Sequence, residues 1–400
     1  MSDDDARTPW LDLLLLFAAS RLALLIVGIV STGLLGSGLA AMKGNLVYHE
    51  PVARPLEMWA RWDAEWYLLI ADEGYAGPRV RAHYENLGVS YEPEATAGFL
   101  PLYPLLIRVL SPVTGGVAAG ILISNAALLL ALALLYRVTH EAVTGTGPQR
   151  RAAGLAACAA LLLHPMSLFL SAVYAESLFL ALSLATWHLA SNGRFAGAGL
   201  CGALATLTRP FGLFLLVPAV WEWWSRRKSV AMGSGVRRPG PGALACLAAI
   251  PAALGAFLLY CGAVFSDPLA LVHRQTRWRG ATSGPWRAFI RWWESGPAPH
   301  GAHNSTLEVA IAAATLISLP FVFRALGPRL GVYAALCALA PLGSTVWSYG
   351  RLSLAIFPTF MLIGSAVGAG RTRVPMTYGF AGAALSGLLM ALYANWWWAG

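Results

Sequence analysis

Runs of apolar residues long enough to cross a bilayer recur from one end of this chain to the other. A helical span needs about 20 such residues. Runs of that kind fall at roughly 10–36, 114–137, 152–173, 176–192, 196–208, 211–224, 243–264, 307–323, 331–347, 352–369 and 376–395. The pattern predicts an all-α polytopic membrane protein of about eleven spans, several of them short. The stretch 98–113 is also apolar, but Pro101, Pro104 and Pro112 interrupt it. It reads as a broken, partly inserted segment, tolerated only where protein buries it.

Arginines set the expected orientation. With the N-terminus inside, the short inner loops hold Arg150, Arg151, Arg194, the run Arg226, Arg227 and Lys228 with Arg237 and Arg238, then Arg324, Arg329, Arg371 and Arg373. Short basic loops of this kind stay cytoplasmic, and acids such as Asp3, Asp4 and Asp5 weigh little against them. Two longer segments, 37–113 and 265–306, then face outward and carry most of the carboxylates. The chain is read as one transmembrane domain, 1–400, with those two segments as its extracytoplasmic loops. Large, partly apolar outer segments on unequal spans favour an outward-facing enzyme over a channel or carrier. The halves also show no sequence repeat of the kind that inverted-repeat transporters carry.

Composition sharpens the class. Apolar residues make up 57% of the chain and charged residues 12%, whereas a soluble domain carries roughly a quarter charged. Disorder needs the opposite balance. The net charge of +9 comes from scattered loop residues. With no basic stripe interleaved with exposed aromatics, nucleic acid is not an expected partner. Cys158, Cys201, Cys246, Cys261 and Cys337 all sit in apolar stretches without paired spacing, so they read as small buried hydrophobes. His273, His300 and His303 are too irregularly placed for a ligand set. Neither a metal nor a cofactor is expected.

The chemistry concentrates in residues 59–75, WARWDAEWYLLIADEGY. Projected as a helix, Trp59, Trp62, Trp66, Leu69 and Ile70 share one face, while Arg61, Glu65 and Asp72 share the other. That predicts an amphipathic helix lying in the membrane interface, tryptophans down, with an Arg61–Glu65 surface pair and Gly74 at its end. Asp63 breaks the pattern by standing on the tryptophan side. A carboxylate there is costly unless paired or used. It is either a partner of a buried arginine, a backbone cap, or a working acid.

The segments RWDAEWYLLIADEGY, GFLPLYPLL, HPMSLFLSAVYAESLFLALS and LATLTRPFG occur in that order. Together they resemble the PIG-V-type mannosyltransferase family, over about residues 10–225. The resemblance implies the GT-C glycosyltransferase architecture, in which a polytopic bundle carries its catalytic acid on the first outer loop. It also implies a polyprenyl-phosphate-mannose donor and a glycolipid or glycan acceptor at the outer face of the cell membrane. Asp63 matches the family's WD aspartate and becomes the general base of an inverting transfer. Trp62, Tyr67, Glu65 and Glu176 are assigned to sugar or acceptor binding. His164 departs from the family pattern, where a small or polar residue commonly precedes the proline.

The leaving phosphate needs cations more than a proton, and arginine's planar fork suits it. Arg209, in LTRPFG, and Arg351, in WSYGRLS, fall at the outer face and are assigned to the donor phosphate; a snorkelling anchor is the alternative for each. Glu176, at the start of a span, could instead complement the helix dipole. Arg21, near the middle of the first span, reads as structural. In 265–306, Arg274, Arg277, Arg279, Arg287 and Arg291 interleave with Trp278, Trp286, Trp292 and Trp293, predicting an interfacial segment that grips headgroups. A flippase for lipid-linked sugars, a noncatalytic subunit, and a transferase using another polyprenyl-phospho-sugar such as arabinose remain the competing readings.

Overall fold

The computed structural model describes residues 8–38, 48, 50–87, 91–231 and 239–399. Asp3, Asp4, Asp5, Arg237 and Arg238 lie outside the described residues. Within them the chain is helical, without a β-strand. Each of the apolar runs forms a helix. Five are long and apolar enough to cross a membrane unaided: Trp10–Leu34, Gly116–Ala142, Pro241–Phe265, Thr306–Leu326 and Arg373–Ala394. The other apolar helices, Leu102–Thr114, Phe195–Thr206 and Phe357–Gly368 among them, are shorter. Leu11, Leu15, Leu34, Leu259, Ile317 and Phe380 point outward and exposed, as lipid-facing side chains must.

Close helix approach is built from small residues. Gly364 and Gly368, one turn apart in Phe357–Gly368, face Ala153 and Ala157 of Gly147–Leu162. A Cβ added at Gly364 would meet the carbonyl of Ala153, and one at Gly368 would sit 3.0 Å from the Ala153 Cβ. This is the small-residue packing that replaces hydrophobic driving force between helices in lipid.

The stretch around Pro101, Pro104 and Pro112 is less broken than its prolines predict. Pro101 caps the helix Leu102–Thr114 and Pro104 falls in its first turn, where the missing N–H has no intrahelical partner to lose. Only Pro112 is interior. Val109 and Val113 on this helix are 79% and 85% exposed, so one face is presented outward.

The run 152–173 differs in the other direction. Its helix stops at Leu162, and the following residues turn irregularly through a short 3-10 element, Ser167–Leu170. Every residue from 164 to 177 is buried. Irregular backbone inside a bundle needs partners for its polar groups, and side chains supply them. Ser124 Oγ donates to the carbonyls of Ala172 and Tyr174, at 2.8 and 3.1 Å. Arg21 Nη1 donates to Ser167 O at 2.8 Å. Arg21 therefore ties the first long helix to this segment, through the Ser167 carbonyl and the Ser171 hydroxyl. His164 lies within the same segment against Phe360, with Nε2 3.2 Å from Ser353 Oγ.

Candidate functional site

The irregular segment 163–175 positions the tryptophan-rich turn. Val173 N–H donates to Trp59 O at 3.0 Å, and Tyr174 Oη donates to Arg61 O at 3.0 Å. Tyr174 Oη in turn accepts from Asp63 N–H at 3.1 Å. From the C-terminal helix, Tyr393 Oη accepts from Arg61 N–H at 3.1 Å. Two buried phenols thus clamp residues 59–63 on both sides. Trp62 between them has φ 59°, a backbone region that side chains rarely occupy and that persists only where surroundings over-determine it.

The helix begins after this turn, at Asp63, and runs to Glu73, with Gly74 at φ 88° ending it. It is not an interfacial helix with a wet face. Ala64, Glu65, Tyr67, Leu68, Leu69, Ile70 and Ala71 are all buried, so protein surrounds it. The 59–75 projection fails at its start: residues before Asp63 are not helical, and the 100° spacing cannot be extended across them. Arg61 consequently pairs with Glu57 at 2.9 Å, and not with Glu65. Its guanidinium also stacks over Trp396, 4.3 Å from the ring centroid. The tryptophans point inward. Trp59 is core, Trp66 stacks on Phe99 at 6.0 Å, and Trp62 meets Trp398 edge-on at 5.1 Å.

What they face is a cavity of about 860 Å³. Trp62, Asp63, Glu65 and Tyr67 line it together with Arg209 and Arg351, which lie far along the sequence. Arg351 Nη1 donates to Asp63 Oδ2 at 2.6 Å. Glu176 Oε1 accepts from Arg209 and lies 3.5 Å from Arg351 Nε. Asp63, Arg351, Glu176 and Arg209 therefore form one alternating chain of charges. Burial alone would lower the Arg351 pKa, but Asp63 and then Glu176 outweigh it and hold the guanidinium above its ordinary value. Burial likewise raises the Tyr67 phenol, keeping it a hydroxyl donor.

Two assignments change. Glu176, the first residue of Glu176–Ser191, is not on the cavity wall. Its side chain is 2% exposed behind the arginines, so it is their buried counter-ion and has no access to a sugar. Arg209 and Arg351 are neither snorkelling anchors nor unpaired cations, because each already holds a carboxylate.

The second long segment contributes part of the cavity wall, through residues such as Arg274, Trp278 and Arg279. Its helix Ala270–Arg279 lies against the 3-10 turn Pro93–Gly98. Arg274 pairs with Glu92, Arg277 Nη1 is 2.9 Å from Glu92 Oε1 and 3.1 Å from Glu94 Oε1, and Trp278 packs on Phe99 at 5.5 Å. Arg274 and Arg277 thus bind the first segment where headgroups were the expected partner. Trp286 and Trp293, 65% and 71% exposed, remain placed as surface anchors. Trp347, Trp396 and Trp398 complete the wall. None of these three was legible as a site residue, since a tryptophan near a helix end ordinarily reads as an interface anchor.

The sequence of residues 40–221 matches the family model described as mannosyltransferase (PIG-V). That stretch, just under half of the chain, carries Asp63, Glu176 and Arg209, and its similarity is to the PIG-V mannosyltransferases. Among curated relatives, GPI alpha-1,6-mannosyltransferase 2 of Cricetulus griseus is 32% identical over 164 residues, covering 38% of this chain and 29% of that protein. The Mus musculus protein of the same name is 32% identical over 168 residues, covering 39% and 30%. The matched stretch spans less than a third of each relative's own length. A solved structure, the Archaeoglobus fulgidus oligosaccharyltransferase tethered with an acceptor peptide, is similar with a TM-score of 0.40 and 13% identity, covering 96% of this chain and 56% of that one.

Proposed function

We propose that the chain transfers mannose from polyprenyl-phosphate-mannose to a lipid-linked or envelope glycan, with inversion, at the extracytoplasmic face of the cell membrane. Asp63 is the general base. A GT-C arrangement, with 37–113 and 265–306 as extracytoplasmic loops around one transmembrane domain, is part of this reading. So is the plasma membrane, which rests on the arginine bias of the short loops.

The observation that carries it is the state of Asp63. Arg351 holds one oxygen, Oδ2, while Oδ1 has no hydrogen-bond partner among the described residues and the side chain is 30% exposed on the cavity wall. A carboxylate fixed at one oxygen and open at the other can accept an acceptor hydroxyl's proton as that oxygen attacks the anomeric carbon. The new bond is oxygen to C1. The bond that breaks joins C1 to the phosphate oxygen, which leaves with the electron pair as a lipid phosphate. Trp62 and Tyr67 line the cavity with Asp63 and serve to contact sugar rings, and Glu65 lines it with them.

The test uses the purified full chain in vesicles with labelled polyprenyl-phosphate-mannose and a cell-envelope glycolipid extract. A new mannosylated product supports the reading. Movement of unchanged donor across the bilayer without product would replace it with a flippase, and transfer only from polyprenyl-phospho-arabinose would replace the sugar.

A further inference from the structure

Four arginines line the cavity: Arg209, Arg274, Arg279 and Arg351. Three are spoken for, by Glu176, by Glu92, and by Asp63 with Glu176. Arg279 is different. Among the described residues its side chain has no carboxylate within 4.0 Å and donates no hydrogen bond, and its Nη1 is enclosed without a partner.

Its position is nevertheless fixed. Arg279 is the last residue of Ala270–Arg279, Gly280 turns the chain at φ 84°, and Arg291 Nη1 donates to the Arg279 carbonyl. A helix C-terminus favours a cation, but here the terminal carbonyl already has its partner and the guanidinium is directed to the cavity. Burial lowers its pKa to about 10, with Arg351 and Arg209 adding to the effect and Asp63 and Glu308 opposing it. A desolvated cation beside two others is costly unless an anion compensates it.

We infer that Arg279 is the principal seat for the anionic headgroup of a phosphorylated lipid in this cavity. The chemistry fits a phosphate ester on an apolar chain. Thr208, Ser344 and Ser348 offer hydroxyls on the same wall, and Phe99, Leu100, Phe211, Leu254 and Leu271 offer apolar surface. Arg209 and Arg351 then act as positioning residues, the first for the buried Glu176 and the second for Asp63. The identity of the ligand as a lipid phosphate rests on the proposed transferase; the anion seat itself rests on Arg279. In the transfer, cleavage of the C1–O bond turns a phosphodiester into a monoester with one more negative charge. An otherwise uncompensated guanidinium stabilises that change more than the ground state.

The experiment measures binding to the full chain in detergent of farnesyl phosphate, farnesol and inorganic phosphate. Wild type should bind farnesyl phosphate about tenfold or more tighter than farnesol, as expected for a buried charge-assisted contact. Arg279→Gln should erase that difference while leaving farnesol binding unchanged, and Arg279→Lys should restore part of it. Arg137→Gln, at an exposed pair with Glu141 far from the cavity lining, should bind like wild type. Undiminished preference for the phosphate in Arg279→Gln, or none in wild type, would overturn the seat. Equal competition by inorganic phosphate and farnesyl phosphate would overturn the lipid part. A chain that binds farnesyl phosphate through Arg279 yet transfers no mannose keeps the seat and sinks the transferase reading.

Discussion

Arg351 holds Asp63 across the whole width of the sequence, at 2.6 Å between Nη1 and Oδ2. Arg351 is buried, and Asp63 is open on its other oxygen. Two of the three readings raised for Asp63, arginine partner and working acid, are therefore compatible: the pair positions the group that faces the cavity.

Asp63→Asn retains size and hydrogen bonding but cannot take a proton. Mannose transfer should fall by 10²-fold or more, with the protein still monodisperse in detergent. Wild-type transfer by the variant would remove Asp63 as the base.

Glu65 now carries a different expectation from the surface pair its helical projection predicts. It is 5% exposed on a buried helix, so Glu65→Ala should destabilise the fold by about 1–3 kcal/mol. A thermal melt unchanged from wild type would show that the site tolerates the loss.

Gly212 follows Arg209 in the turn Pro210–Leu215. A Cβ there would lie 2.5 Å from Thr206 Cα and 2.7 Å from Ala205 C, which are backbone atoms that cannot rotate aside. Gly212→Ala should cost about 1–3 kcal/mol through overpacking and displace Arg209 from Glu176. The check is a lowered melting temperature together with reduced transfer.

Sidedness can be read by thiol labelling. Glu94 is a poor reporter because Arg277 covers it, whereas Asn86 is exposed. A cysteine at Asn86 should react with an impermeant reagent in intact cells. One at Ser234, outside the described residues, should react only after lysis. The reverse pattern would invert the orientation.

His300 and His303 give the segment 265–306 a pH dependence. Burial lowers both pKa values, with Arg291 and Arg279 adding to the shift at His303 and the Trp398 carbonyl opposing it at His300. The unfolded chain therefore binds protons that the folded one refuses. Stability from these groups is full above the ordinary histidine pKa of about 6.5 and declines as pH falls below it. Melting in detergent should drop between pH 7.5 and 5.5, and the His300→Gln, His303→Gln double variant should flatten that drop.

Periodicity located the helices because apolar runs need only be counted, and motif order located Asp63, Glu176 and Arg209. Arg351 was legible as a cation standing apart from the inner loops. The partnerships were not legible. Glu65 was misplaced because a helical wheel assumes a helix already begun, and nothing in 59–63 announces the turn that Tyr174 and Tyr393 impose. Arg279 was hidden among four similar arginines. Only the third dimension shows that, among the described residues, it is the cavity-lining arginine without a carboxylate.

The stretch matched to the family ends at residue 221, and Arg351 lies beyond it. The acid and the arginine that holds it thus lie in separate stretches of sequence. A hybrid that joins residues 40–221 of one relative to the remainder of another should keep its helices yet leave Asp63 without its partner, unless the second parent brings a guanidinium to within side-chain reach of position 63.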